Sequence, residues 1–202
     1  MRYYFCLLFC LFGLNTFAQT YKSSIEAHRN SYKMAFINDS HSPLKESDLK
    51  HLHFFEADST YKVKASVKIL TGEKVFKMPT YDGTSKEFIR YAQLTFTLKG
   101  KALKMTLYKN LALAMNPVYK DYLFLPFTDL SNHQQTYGGG RYIDLKISDI
   151  QNNHITIDFN KAYNPYCAYS DGYRCPIPPE ENDLDIAIAA GEKLYTGEKK
   201  HQ

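Results

Sequence analysis

Leu-Thr-Phe-Thr-Leu-Lys-Gly-Lys-Ala-Leu-Lys-Met-Thr-Leu, residues 94–107, decides the fold. Leu94, Phe96 and Leu98 share one face of an extended chain, because successive side chains of a strand point to opposite sides. Lys99-Gly100 supplies a tight turn, and Leu103, Met105 and Leu107 answer on the returning strand. Apolar residues at period two on both sides of a two-residue break predict a β-hairpin.

The same period extends outward. Upstream, Tyr61, Val63, Ala65, Val67 and Ile69 alternate with Lys62, Lys64, Ser66 and Lys68, a half-buried strand with one wet face. Gly72 breaks the pattern, Val75 to Met78 resumes it, and Tyr81-Asp82-Gly83-Thr84 turns again. Downstream, Tyr122 to Phe127 is almost continuously apolar, which predicts a strand buried on both faces. Ile143, Leu145 and Ile147 alternate, and so do Ile155, Ile157 and Phe159 across an Asn152-Asn153 turn. Leu184, Ile186 and Ile188 predict a last strand. Before the strands, Ile25, Arg29, Tyr32 and Phe36 recur at helical spacing, so residues 21–37 read as an amphipathic helix. Ser42-Pro43 reads as an N-cap with proline at the first helical position, opening a short helix towards Leu52. The expected fold is mainly β (α+β): an antiparallel sandwich or partly closed barrel with N-terminal helices and a long ordered loop near the C-terminus.

The first residues read as a secretory signal. Arg2 is the positive end, Tyr4 to Leu14 the apolar segment, and Ala18 the small residue before a cleavage point. The apolar run is roughly 11 residues, short of the ~20 that span a bilayer as a helix. Phe9 stands before Cys10 where a lipid-attachment motif needs a small residue, so no lipid anchor is expected. Residues 1–18 are therefore a signal peptide and 19–202 a single domain, exported to the periplasm or beyond. The chain has 25 basic and 21 acidic residues, a formal net charge of +4, and loses one positive charge with residues 1–18. Its lysines are scattered along strand faces, which argues against a nucleic-acid partner. Cys6 and Cys10 leave with the signal, and in an oxidising compartment the remaining pair, Cys167 and Cys175, reads as a disulfide.

Two segments fall outside ordinary sheet and turn. One contains Thr136-Tyr137-Gly138-Gly139-Gly140-Arg141. It is followed by a strand and lacks Gly-Lys-Ser/Thr, so it is not a phosphate-binding P-loop. It is either a wide turn or a loop presenting Arg141 to an anion, since a guanidinium takes a carboxylate or phosphate in bidentate fashion. The other runs from Asn160 to Asn182, with four tyrosines, two cysteines and four prolines. Its prolines and bridge make it rigid. It serves either as a plug over one end of the sheet or as a wall on which Tyr163, Tyr166, Tyr169 and Tyr173 stack against a ligand.

No nucleophile elbow, zinc-protease motif or metal-ligand spacing is present, and His51-x-His53 supplies two imidazoles where a metal site needs more. No cofactor or metal is expected. The leading expectation is a small-molecule site for a polar or anionic ligand, a sugar included. Tyr137 and Tyr166 would be its walls, Arg141 its cation, and Asn160, Asn164 and Asn182 its polar groups. Two rivals are a hydrolase using Asp158, Glu181 and Glu192 as carboxylates, and a purely structural or partner-binding domain.

The stretch Phe124-Leu-Pro-Phe-Thr-Asp129, then Thr136-Tyr-Gly-Gly-Gly-Arg-Tyr142, then Asp158-Phe-Asn-Lys-Ala-Tyr-Asn-Pro165 is distinctive. So is Cys167-Ala-Tyr169 with Cys175-Pro-Ile-Pro-Pro-Glu-Glu-Asn182 and Ala190-Gly-Glu-Lys193. Together these resemble the bacterial proteins of domain of unknown function family 1684, over most of the chain that follows the signal. The resemblance brings no activity. It implies that the glycine turn and the tyrosine-proline segment form one shared feature. Because family members without export signals carry the same cysteines, it also gives weight to a thiol or metal role for that pair.

Overall fold

The computed structural model describes residues 4–201, with side chains from Gln19 onward. The segment expected to be cleaved, residues 1–18, lies outside the residues whose side chains are described. A helix α1 (Tyr4–Asn38) precedes eight strands: β1 (Lys62–Ile69), β2 (Phe76–Pro79), β3 (Ser85–Leu98), β4 (Lys101–Asn110), β5 (Tyr122–Asp129), β6 (Arg141–Lys146), β7 (His154–Asp158) and β8 (Asp183–Leu184). Among the described residues no helix is long and apolar enough to cross a membrane.

The strands form one sheet in the order β6-β5-β4-β3-β1-β7, with β2 added to β3 and β8 to β5. Every pairing is antiparallel except β5 with β8. The sheet curls into a half-barrel, so the partly closed barrel, not the sandwich, is the architecture. The 94–107 hairpin pairs from Leu98↔Lys101 outward, with Lys99 and Gly100 both at positive φ in its two-residue turn.

The inner face carries the main core: Ala65 and Val67 of β1, Leu94 and Phe96 of β3, Met105 and Leu107 of β4, Leu123 to Phe127 at alternate positions of β5, Ile143 of β6 and Ile157 of β7. Burying each large side chain contributes about 1.5–3 kcal/mol. A register shift in β3 between Arg90 and Ala92 inserts one residue and reverses which face the even positions take. Ala92 and Leu94 therefore point inward, while Phe88 joins a second cluster on the outer face with Met78, Tyr108, Phe124 and Tyr142. This cluster is why β5 is apolar on both faces. A third cluster seats α1, packing Phe36 and Tyr32 against Leu44, Leu52, Tyr166 and Tyr169.

Three expectations are corrected. Residues 42–52 form no α-helix: Ser42 turns the chain by accepting from the Leu44 amide, and a 3-10 helix follows at Glu46–His51, with the Asp48 carboxylate accepting from the Lys45 amide. The Asn152-Asn153 turn does not join β6 to β7 as a hairpin. Instead β7 pairs with β1 over five residue pairs, and the facing edges of β6 and β7 border a polar cleft of about 660 Å³. Ile186 and Ile188 do not extend β8, because the Ile188 amide donates to the Asp129 carboxylate and so leaves the ladder.

Candidate ligand-binding site

Tyr142, the second residue of β6, lies on the outer face, and its amide and carbonyl exchange hydrogen bonds with those of Tyr163. That bridge brings the tyrosine-proline segment alongside β6. The Tyr142 hydroxyl donates to the Pro176 carbonyl, fixing the far limb of the same segment. The Cys167–Cys175 disulfide closes the intervening loop. It closes a ring of about nine residues, so the chain-entropy relation assigns it about 2.5 kcal/mol. Urea unfolding of the Cys167→Ala/Cys175→Ala protein should show a loss of that size; an unchanged midpoint would mean that packing alone holds the loop.

Against this platform lies one face of α1. His28, Tyr32, Ala35 and Phe36, spaced i, i+4, i+7 and i+8, point the same way. Between helix and loop is a cleft of about 500 Å³. Its walls are aromatic: Tyr32 and Phe36 from α1, Tyr142 from β6, and Tyr163, Tyr166 and Tyr173 from the loop. Tyr166 and Tyr173 meet edge to face with ring centres 5.1 Å apart, and Tyr166 packs on Phe36 at 5.7 Å. Burial pushes the Tyr166 hydroxyl up to about 12, and it donates to Asp39. The rim is basic: His28, Lys86, Lys161 and Arg174. Lys86 is half-buried; removal from water and the neighbouring Arg174 both lower its pKa. His28 is exposed; partial removal from water by its neighbours, and then Lys161, lower its pKa.

Asp144, on the outer face of β6, lines both this cleft and the polar cleft between β6 and β7. The hydroxyls of Tyr122 and Tyr163 both donate to its Oδ1, each at 2.8 Å. Asp144 stays open to solvent along the clefts; partial removal from bulk water by the surrounding walls raises its pKa, and the two tyrosine donors pull the other way. The sequence reading missed Asp144 as well as the four rim cations. Its signal is a carboxylate set between Ile143 and Leu145 in a strand whose outer-face neighbour is Tyr142.

Of the six residues expected to bind ligand, Tyr166 lines the aromatic cleft and the other five hold the protein together. Arg141 is fully buried. Its Nη2 donates to the Asp129 carboxylate at 2.8 Å and to the Ile188 carbonyl, and its Nη1 to the carbonyls of Ala190 and Glu192. It points into the barrel, so the expectation that it faces a ligand is corrected. The three glycines before it serve close packing. A Cβ on Gly139 would stand 2.1 Å from the Tyr81 hydroxyl, and Gly140 adopts φ +84° with the Phe127 carbonyl 2.6 Å from where a Cβ would be. Tyr137 is half-buried, with its hydroxyl turned to the Cys167 carbonyl.

The asparagines act as backbone substitutes. Asn160 exchanges hydrogen bonds with both the amide and the carbonyl of Asp58. Asn164 donates to the Lys193 carbonyl. Asn182 accepts from the Thr106 amide at 2.6 Å and donates to the carbonyls of Thr106 and Pro126. It thus stands between β4 and β5, whose ladder contains only the pair Tyr108↔Phe124.

The three carboxylates of the hydrolase alternative sit in three separate networks. Asp158 accepts from Tyr21 and Asn160, Glu181 from Arg90 and Tyr108, and Glu192 from Tyr32, Tyr169 and the Asn164 amide. No two of them share a partner, and only Asp158 lines a described cleft. Among the described residues no group of three or more His, Cys, Asp or Glu side chains is arranged to hold a metal ion.

No match was found among curated proteins. Among solved structures, the solution NMR structure of an uncharacterized protein from Haloarcula marismortui is similar. It is 31% identical, the match covering 89% of this chain and 97% of that one with a TM-score of 0.67. The platform just described, from the glycine turn through the Asn160–Asn182 segment to Glu192, lies inside residues 47–193, which match the family model described as protein of unknown function DUF1684. The chain belongs to that family.

Proposed function

We propose that this protein binds a small polar or anionic ligand, within which class sugars fall, in the aromatic cleft between α1 and the Tyr163–Pro176 segment. The observation that carries the reading is the cleft itself: six aromatic side chains on three elements surround about 500 Å³, with His28, Lys86, Asp144, Lys161 and Arg174 as the ionisable groups in its lining. A concave, mostly apolar site with a few convergent polar groups is the usual form of a small-molecule site. The loop wall is fixed by the disulfide and by the Tyr142 bonds, so little ordering cost accompanies binding.

A thermal-shift screen of sugars, sugar acids and small carboxylates tests the reading. A ligand at a hundred times its Kd stabilises the folded state by about 2.7 kcal/mol. Any compound that raises the melting temperature of the wild type should lose that effect in Tyr166→Ala protein. Retained shifts in that variant would place the ligand elsewhere.

The protein is further proposed to work outside the cytoplasm after loss of residues 1–18. The signal-like sequence and the disulfide support this. The docking bonds of α1 described here start at Tyr21, which donates to Asp158, so the cleft keeps its helical wall after cleavage. Intact-mass measurement of the exported protein should give a chain starting at Gln19; a chain retaining Met1 would refute it.

A further inference from the structure

The rim of the aromatic cleft goes beyond a general preference for polar ligands. Lys86 and Lys161 line the cleft, and no hydrogen bond or ion pair engages either amine within the described residues. An unpaired lysine on an open surface needs no explanation. Lys86 differs, because it is half-buried and stands near Arg174. Arg174 has Asp82 at 3.4 Å and the Thr84 hydroxyl at 3.0 Å, which hold its guanidinium at this end of the cleft. On the helical side, His28 is crowded by Lys161 in the same way. Three cations, Lys86, Arg174 and Lys161, around one opening concentrate positive potential there. Asp144 marks the corner shared with the polar cleft, which neither Lys86 nor Arg174 lines; its Oδ1 takes both tyrosine hydroxyls, while Oδ2 makes no hydrogen bond among the described residues.

We propose that the occupant is a ring bearing a phosphate or carboxylate. The ring lies against Tyr166 and Tyr173, the anion at the Lys86–Arg174 end, and a hydroxyl of the ring donates to Asp144 Oδ2. The inference rests on the cleft being a binding site and adds the charge and polarity of what fills it. The anion relieves the repulsion between Lys86 and Arg174. The carboxylate of Asp144 excludes the anion from its own corner, and so orients the ring. An aromatic ring and a pyranose both offer a flat face to tyrosine, so the shared chemistry is a ring carrying an anion.

Calorimetric titration of the purified protein with four probes tests this: 4-hydroxyphenyl phosphate, glucose 6-phosphate, phenyl β-glucoside and inorganic phosphate. At least one of the two ring phosphates should bind ten times more tightly, or better, than both the neutral glucoside and inorganic phosphate. Whichever ring phosphate binds more tightly identifies the aromatic or the sugar source. Raising the salt concentration should weaken that binding, since rim charges are screened. Lys86→Gln should weaken it at least fivefold, Lys161→Gln less, and Lys68→Gln, on the wet face of β1, not at all. Glucoside binding that equals or exceeds that of the ring phosphates would overturn the anion while leaving the cleft reading intact. Inorganic phosphate binding as tightly as they do would overturn the ring. Failure of all four probes, or binding indifferent to both lysine variants, would overturn the inference.

Discussion

Replacing Arg141 by methionine should cost the fold about 3–5 kcal/mol, the usual penalty for leaving a buried charge without its partner. Asp129 is as buried as Arg141, and its Oδ1 already accepts from the amides of Ser131 and Ile188. Without the guanidinium, its charge stays inside the barrel, and the carbonyls of Ile188, Ala190 and Glu192 lose a common donor. A domain of this size has about 5–15 kcal/mol of stability, so the loss is a large part of the total. Urea unfolding measures it. The double variant Arg141→Met/Asp129→Leu should recover much of the loss, because it removes the orphaned charge as well. Any ligand-induced thermal shift should survive in Arg141→Met protein that still folds. A variant of wild-type stability with its ligand response abolished would return Arg141 to the binding site.

Glu192 should make stability fall as pH rises from about 5 to 8, against the usual behaviour of carboxylates. It is completely buried, and that burial pushes its carboxyl up to about 7, in spite of hydrogen bonds from the Asn164 amide, Tyr169 and Tyr32. A carboxyl near its ordinary value in the unfolded chain and near 7 in the folded one takes up a proton on folding between those two values. Its contribution to stability is therefore complete below the unfolded value and lost as pH climbs through about 7. A shift of that size corresponds to something on the order of 3 kcal/mol. The difference in unfolding free energy between wild type and Glu192→Gln, followed across this window, isolates the effect from other titrating groups. The difference should move against the wild type as pH rises and level off near pH 8. A difference independent of pH would mean that Glu192 keeps one protonation state throughout.

Strand positions were legible because period two depends only on which side chains are buried. Residues 94–107 and 61–69 therefore fold as their alternation requires, and the continuous apolar run 122–127 becomes the strand buried on both faces. Strand partners were not legible: alternation in β6 and β7 says which face is wet, not that β7 leaves β6 unpaired and binds β1 on the far side of the barrel's opening. The last strand failed for a related reason. Ile186 and Ile188 alternate, but a buried carboxylate far away in sequence takes the Ile188 amide.

The site was half legible. Four tyrosines, four prolines and two cysteines within residues 160–182 marked a rigid aromatic segment, and three of the tyrosines, Tyr163, Tyr166 and Tyr173, line the cleft. Arg141 was misread for want of a parity argument. It shares its strand face with Ile143 and Leu145, which point inward, whereas Asp144 shares the outer face with Tyr142. Applied to β6, the same alternation distinguishes the buried cation from the carboxylate at the cleft. The asparagines were misread because an amide that stands in for backbone has the same composition as one that holds a ligand. Lys86 and His28 carried no local signal; only the folding of β3 and α1 around the loop brings them to one rim.

The most direct measurement is a crystallographic soak of the protein with small ring-bearing carboxylates and phosphates. Electron density for a ring beside Tyr166 and Tyr173, its charged group towards Lys86, is the result expected here. Compounds found only at other surfaces, with the space between α1 and the loop filled by the protein's own side chains, would contradict it.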